Sequence, residues 1–253
     1  MGLGKPLVSV IMPSFNTGRW IEQAISSVCA QTFDDWELLI VDDCSTDDSL
    51  EKIYKWTNKD SRITLVRGGQ KLGPVNARNC ALATARGRFV AFCDSDDIWT
   101  PEKLERQLGV MESLKQAICC TAYNRINEEG YTIGAPIVPP SLIGIERLLL
   151  TNDVGMSTSL IDTEICGSIR LPSIARRQDY ALWIILASRG YAAVGIPEPL
   201  VSYRVRRNSL SSNKCIGAYY HWRVLREFAK LTPWEAGRKF VWYAWAALTK
   251  RMG

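Results

Sequence analysis

The 253-residue sequence holds one histidine, His221. A Ser-His-Asp triad would have to use it, and no G-x-S-x-G segment supplies the serine. Eight cysteines are scattered, at 29, 44, 80, 93, 119, 120, 166 and 215, with no C-x-x-C spacing. That argues against a zinc site, and a disulfide framework does not suit a chain this long. The thiols are expected to serve as small apolar core residues. No run approaches the ~20 apolar residues of a membrane-spanning helix. The N-terminal Met1 to Pro6 lacks the apolar stretch of a signal peptide, so a cytoplasmic chain is expected. The first strand-like segment is not followed by G-x-G-x-x-G, which weakens a dinucleotide oxidoreductase. The P-loop pattern is also missing. No recognised nucleic-acid module is present, so nucleic acid is not an expected partner.

The chain is 47% hydrophobic, enough to fill a core. Its net charge of +5 is uneven. From Arg204 onward there are eleven Lys/Arg and two Asp/Glu, a net of +9; the preceding residues carry −4. A mildly acidic body thus carries a basic end of the kind that meets anions.

The first hundred residues read as β-α-β-α-β-α-β. Strands are predicted at 7–13, 36–41, 63–66 and 88–93, with a helix ending near 30, another through Leu50 to Trp56 and a third over 75–85. Ser45 or Thr46 is a candidate cap for the second helix. Alternation at this spacing predicts a parallel sheet with helices on both faces. Ligands of such sheets collect at the carboxyl ends of the strands. Two acidic clusters sit there, Asp42-Asp43 and Asp94-Ser95-Asp96-Asp97. Carboxylates at that edge accept from ribose or base, or hold a divalent cation that bridges to phosphate.

Beyond residue 100 the patterns predict a helix over 101–113, strands at 117–123 and 154–161, and an irregular loop over 130–145. An amphipathic helix is expected over 178–188, short strands at 191–194 and 201–203, and two closing helices over 215–231 and 234–250. In the last helix Phe240, Val241, Ala244, Trp245 and Leu248 read as one apolar face, flanked by Arg238, Lys239, Lys250 and Arg251. Such a face either docks on the body or lies in a membrane interface.

Several segments together resemble an inverting glycosyltransferase of family 2. They are Val8-Ser9-Val10-Ile11-Met12-Pro13-Ser14-Phe15-Asn16, Ser26-Ser27-Val28 with Gln31-Thr32-Phe33, and Val41-Asp42-Asp43-Cys44-Ser45-Thr46-Asp47. Gly73 with Ala77-Arg78-Asn79 follows, then Asp94-Ser95-Asp96-Asp97-Ile98-Trp99 with Pro101 and Lys103-Leu104. Last come Arg176-Arg177-Gln178-Asp179-Tyr180-Ala181-Leu182-Trp183, Tyr203-Arg204 and Ser209-Leu210-Ser211. The match spans residues 7 to 211. It departs at Gln178, where the family usually has glutamate; the aspartate after it is kept.

The resemblance implies an α/β chain of GT-A fold, with a Rossmann-like, mostly parallel sheet. Residues 1–100 would form the nucleotide-sugar half, 101–213 the acceptor half and 214–253 a basic helical tail. The implied nucleotide-binding residues are Pro13, Asp42, Asp43, Arg78, Asp94 and Ser95, with Asp43 accepting from the uracil imide. Arg78 either touches the nucleotide or only pairs with nearby aspartates. Asp96 would hold Mn2+ or Mg2+. Asp97 serves there or caps the helix after it. Asp179 would be the general base, or else a carboxylate at a helix start. Arg204, Arg207 and Ser209, with Arg206 among them, would form a diphosphate loop, or a solvated basic loop. Trp99 and Arg177 would meet the acceptor, Trp99 by stacking unless it only packs. The implied activity moves a hexose, glucose or galactose, from a UDP-sugar to an undecaprenyl-diphosphate-linked glycan of O-antigen or capsule, with inversion. The enzyme would sit peripherally on the inner face of the cytoplasmic membrane through its C-terminal helices. The rival readings are a nucleotidyltransferase, opposed by Pro13-Ser14-Phe15-Asn16 where a glycine-rich loop should be, and an inactive sugar-nucleotide binder or membrane adaptor.

Overall fold

A computed structural model describes residues 4–66, 71–206 and 214–249. The first half follows the alternating pattern: β1 (Val8–Ser14), α1 (Ile21–Cys29), β2 (Trp36–Asp42), α2 (Ser49–Lys59), β3 (Ile63–Leu65), α3 (Gly73–Thr84) and β4 (Phe89–Phe92). Then come β5 (Ile98–Trp99), α4 (Lys103–Leu114), β6 (Ile118–Ile126), β7 (Leu142–Ile143), α5 (Ile145–Leu148), a 3₁₀ turn (Met156–Thr158), β8 (Ser159–Asp162) and α6 (Thr163–Cys166). The chain continues through α7 (Gln178–Ser188), β9 (Ala193–Arg204), α8 (Lys214–Glu227) and α9 (Pro233–Thr249).

The strands form one sheet in the order β3-β2-β1-β4-β8-β6-β9-β5, with β7 also on β9. β1 pairs parallel with β2 and β4, and β2 with β3. β8 runs antiparallel between β4 and β6, so it joins the two halves of the chain in one sheet. β6 and β9 are again parallel.

Alternation along β1 sorts its side chains to two cores. Val8, Val10 and Met12 pack with Ile21, Ala24, Ile25 and Val28 of α1 and Leu104 of α4. Ile11 faces the other side, with Ala77 and Ala81 of α3, the apolar residues of α7, and Val224, Leu225 and Ala236 of α8 and α9. The turn into β4 needs Gly87, because a Cβ there would stand 2.5 Å from the Ser9 backbone nitrogen. Cys93, Cys119, Cys120 and Cys166 are buried free thiols.

Four expectations change. The two short strands over 191–203 are one strand, β9; its ladder with β6 skips Pro197 and Glu198 at a bulge, which absorbs the missing proline N–H. The loop over 130–145 contains β7 and isolated bridges from Tyr123 to Ile137 and from Ile126 to Thr132. The strand expected from 154 begins only at Ser159, after the 3₁₀ turn. Helix α7 is not amphipathic: Gln178, Tyr180 to Ile184, Leu186 and Ala187 are all buried, because α5 and the C-terminal helices cover what would be its wet face.

Candidate active site

The first acidic cluster ends β2. Asp43 is 5% exposed, and its carboxylate accepts from the backbone N–H of Gly73 at 3.0 Å and from that of Leu72. It thereby satisfies N–H groups at the start of α3, where the helix dipole favours negative charge. Asp42 accepts from the N–H and hydroxyl of Ser45 at 2.9 and 2.6 Å. Ser45 and Thr46 do not cap α2. They bind Asn16 and Asp42, while Asp47 accepts from the Ser49 N–H at the helix start. Pro13 lies opposite Val41 in the β1–β2 ladder, beside this cluster.

The second cluster follows β4. Arg78, largely buried on α3, donates to the Asp94 carboxylate. The Asp94 N–H donates to the Ser157 hydroxyl at 3.1 Å, and Ser95 is 4% exposed. Asp96 pairs through Oδ2 with Nε of Arg206 at 2.7 Å. Burial raises the Asp96 pKa, with Arg206 opposing and Asp94 adding to the rise. Asp97 is 1% exposed; Oδ1 accepts the Arg204 N–H at 2.9 Å, and the Ser157 hydroxyl lies near the carboxylate. Burial holds its carboxyl well above the usual range, helped by Asp96 and Asp94. Asp97 therefore does not cap α4; it pins the end of β9 instead.

Asp179 opens α7, after Arg177 in the left-handed region at φ 59°. Its Oδ2 accepts from Asn152 Nδ2 at 3.0 Å. Burial raises its pKa, while the Tyr180 N–H, Arg177 and Arg78 pull it down and Asp94 adds to the rise. Asp179, Arg78 and Asp94 thus lie within one another's electrostatic range, although far apart in sequence. The structure brings together the end of β4, the middle of α3 and the start of α7.

Three expected contacts are otherwise engaged. Trp99 is 3% exposed, with its indole N–H on the Ser157 carbonyl at 3.0 Å and the Lys103 ammonium 3.8 Å from the ring centre. It packs, and presents no face for a sugar to stack on. Arg204 is 3% exposed; its guanidinium donates to the carbonyls of Asp96, Asn127 and Glu128 and to Gln23. It staples loops together and has no free edge for a diphosphate. Arg177 donates to the Tyr243 hydroxyl at 2.6 Å, toward α9 rather than the acidic edge. Arg207 and Ser209 lie outside the described residues.

The apolar face read into the last helix is also split. Phe240 turns inward toward His221, Trp222 and Tyr243. Val241 is exposed, with Trp234 and Trp242. The side chains of Ala244, Trp245 and Leu248, and all of Lys250 and Arg251, lie outside the described residues. No helix among the described residues is long and apolar enough to cross a membrane. Sequence reasoning missed Asn152 and Ser157, which no local motif marks, and the Arg206–Asp96 pair, which needs the end of β9 to lie beside the turn between β4 and β5.

Among the described residues no three His, Cys, Asp or Glu side chains converge to hold a metal ion. The donors present are nonetheless hard oxygens of the kind magnesium and manganese take. Asp96 already holds a cationic group, and among the described residues the buried Asp97 Oδ2 meets no hydrogen-bond donor at bonding distance.

A sheet of this topology gathers ligands at the carboxyl ends of its strands, where the two acidic clusters lie. The family model for glycosyl transferase family 2 matches residues 9–165, and the chain belongs to that family. It is a glycosyltransferase. It is 41% identical to TuaG of Bacillus subtilis (strain 168), a glycosyltransferase assigned to teichuronic acid biosynthesis, over 98% of both chains. It is 37% identical to WfgD of Escherichia coli, a UDP-Glc:alpha-D-GlcNAc-diphosphoundecaprenol beta-1,3-glucosyltransferase, over 88% of this chain and 87% of that one. Among solved structures, S. aureus TarS 1-349 in complex with UDP-GlcNAc superposes with a TM-score of 0.73 at 21% identity, covering 94% of this chain and 71% of that one. The Pyrobaculum calidifontis mannosyltransferase PcManGT, in complex with GDP-Man and Mn2+, gives 0.70 at 18% identity, covering 95% and 70%. The last two establish the GT-A fold.

Proposed function

We propose that this chain transfers a hexose, glucose or galactose, from a UDP-sugar to a glycan carried on undecaprenyl diphosphate, with inversion, during synthesis of a cell-surface polysaccharide. The single observation that carries this reading is Asp179: a carboxylate opening a buried helix, oriented by Asn152 and within range of Asp94 and Arg78. Asp179 takes the proton from the acceptor hydroxyl as that oxygen attacks the anomeric carbon. Its raised pKa brings it nearer the working pH of a general base. Asn152 fixes the Oδ2 oxygen of that carboxylate.

Asp42, Asp43 and Pro13 border the nucleotide, with Asp43 organising the start of α3 beneath it. Arg78 orients Asp94 for the ribose side, near Ser95. Asp96 would hold Mn2+ or Mg2+, which would offset the charge growing on the leaving diphosphate. The Mn2+ bound to PcManGT and the glucose moved by WfgD support these choices.

The C-terminal helices would rest on an anionic membrane surface. Trp234 is 77%, Val241 67% and Trp242 58% exposed, and Arg238 is exposed among them. Tryptophan beside basic residues suits the interface of an anionic leaflet. The lipid-linked acceptor lies in such a leaflet.

A donor panel tests the whole reading. Purified protein with Mn2+ is given UDP-glucose, UDP-galactose, UDP-GlcNAc and GDP-mannose and a lipid-diphosphate-linked GlcNAc acceptor. A β-linked hexose product from UDP-glucose or UDP-galactose is expected. Transfer from GDP-mannose alone, or an α-linked product, overturns it.

A further inference from the structure

Arg206 holds the carboxylate that the reading above gives to the metal. Its Nε lies 2.7 Å from Asp96 Oδ2, and the side chains are 33% and 12% exposed. The same guanidinium lies over the Trp20 ring, 5.4 Å from its centre. Trp20 is fixed in turn: it precedes α1, and its indole N–H donates to the Glu128 carbonyl at 3.0 Å. The neighbouring Arg204 is spent on carbonyls, one of them that of Asp96. Arg204 therefore builds the wall, and Arg206 is the cation that meets the carboxylate.

A guanidinium and a divalent ion cannot both occupy Oδ2. We propose that Arg206 is an exchangeable counter-ion of Asp96: it occupies the carboxylate in the donor-free enzyme, yields it to the metal when the sugar nucleotide enters, and then pairs with the diphosphate. Trp20 is the seat that keeps the guanidinium in reach during the exchange. The chemistry suits both partners, because arginine binds carboxylate and phosphate through the same planar fork. Before donor binds, the pair spares Asp96 an uncompensated buried charge. After it binds, the positive charge is still beside the anion that needs it. The inference rests on the metal role of Asp96 and makes Arg206 a positioning residue for it.

The test measures Mn2+ binding by the spin-resonance signal of the free ion, without nucleotide and with UDP, for the full-length wild type, Arg206→Ala and Arg206→Lys. Thermal melts verify that each variant is folded. Without nucleotide, Arg206→Ala should bind Mn2+ roughly fivefold tighter, because the competing cation is gone, and Arg206→Lys should stay near wild type. With UDP the advantage of Arg206→Ala should vanish or reverse. Tryptophan emission should change on Mn2+–UDP binding in the wild type, and the change should shrink in Trp20→Phe and in Arg206→Ala. If UDP-assisted Mn2+ binding persists but wild type and Arg206→Ala have equal Mn2+ affinity without nucleotide, the exchange is wrong and the metal role stands. If Mn2+ fails to bind the wild type even with UDP, both are wrong.

Discussion

Asn152 donates to Asp179 across 3.0 Å, from the loop after α5 to the first turn of α7. The bond stabilises the charged carboxylate and so opposes the burial that raises its pKa. Asn152→Ala should therefore raise that pKa further. The acid limb of the kcat/KM profile should move to higher pH, with roughly tenfold lower activity on that limb and recovery at alkaline pH. An equal loss at every pH would mean that Asn152 only supports the fold.

Asp179→Asn keeps the shape and removes the proposed base. Transfer should fall by about 10²-fold or more, while UDP affinity by calorimetry stays near wild type. A general base must be ionised, so wild-type activity should decline as pH falls through the Asp179 pKa, which burial raises from its ordinary value. Loss of UDP binding together with transfer would assign Asp179 to structure.

Arg204 makes its hydrogen bonds at 3% exposure. Arg204→Ala leaves carbonyls of Asp96, Asn127 and Glu128 without that donor, which should cost about 2–4 kcal/mol of unfolding free energy in urea. Unchanged stability with a higher donor KM would return Arg204 to the diphosphate role.

His221 is 0% exposed, stacked 3.9 Å from the Tyr243 ring and 5.0 Å from that of Tyr180, and among the described residues neither of its nitrogens has a hydrogen-bond partner. Burial pushes its pKa down to about 3, and the positive Arg177 adds to the shift. The folded state keeps it neutral, whereas the unfolded chain protonates it below about 6.5. Its contribution to stability is present above that pH and is lost as pH falls toward 3. His221→Phe keeps the stack, so its Tm should fall less than that of the wild type between pH 6.5 and 4.5. Parallel Tm curves would show that another group governs the acid limb.

Trp234 and Trp242 stand out from α9. A double change to serine should weaken sedimentation with anionic vesicles several-fold, and added salt should weaken the wild type. Salt-independent, unchanged binding would reject the membrane surface.

The alternating half of the fold was legible because each buried strand of the sheet is a short β-branched run closed by an acidic or turn residue, as at Val41-Asp42-Asp43. The acidic ends marked the edge of the site for the same reason. The second half was less legible. Prolines 197 and 199 read as a break, yet a bulge carries β9 through them. Helix α7 is buried nearly all round, and its sign in the sequence is the unbroken apolar run from Tyr180 to Ala187, which an amphipathic reading overlooks. Trp99 and Arg204 carry motif chemistry in the sequence, but their partners, Ser157 and the Asn127–Glu128 carbonyls, come from distant segments.

The tail is also a foundation. Tyr243 of α9 and His221 of α8 continue the stack on Tyr180, the residue directly after the proposed base, and Tyr243 also accepts from Arg177, two residues before that base. Whatever tilts α8 and α9 acts on the first turn of α7, which carries the proposed base. Deleting α8 and α9 would therefore loosen that turn, and a chimera that swaps tails between relatives would have to bring a matching first turn of α7.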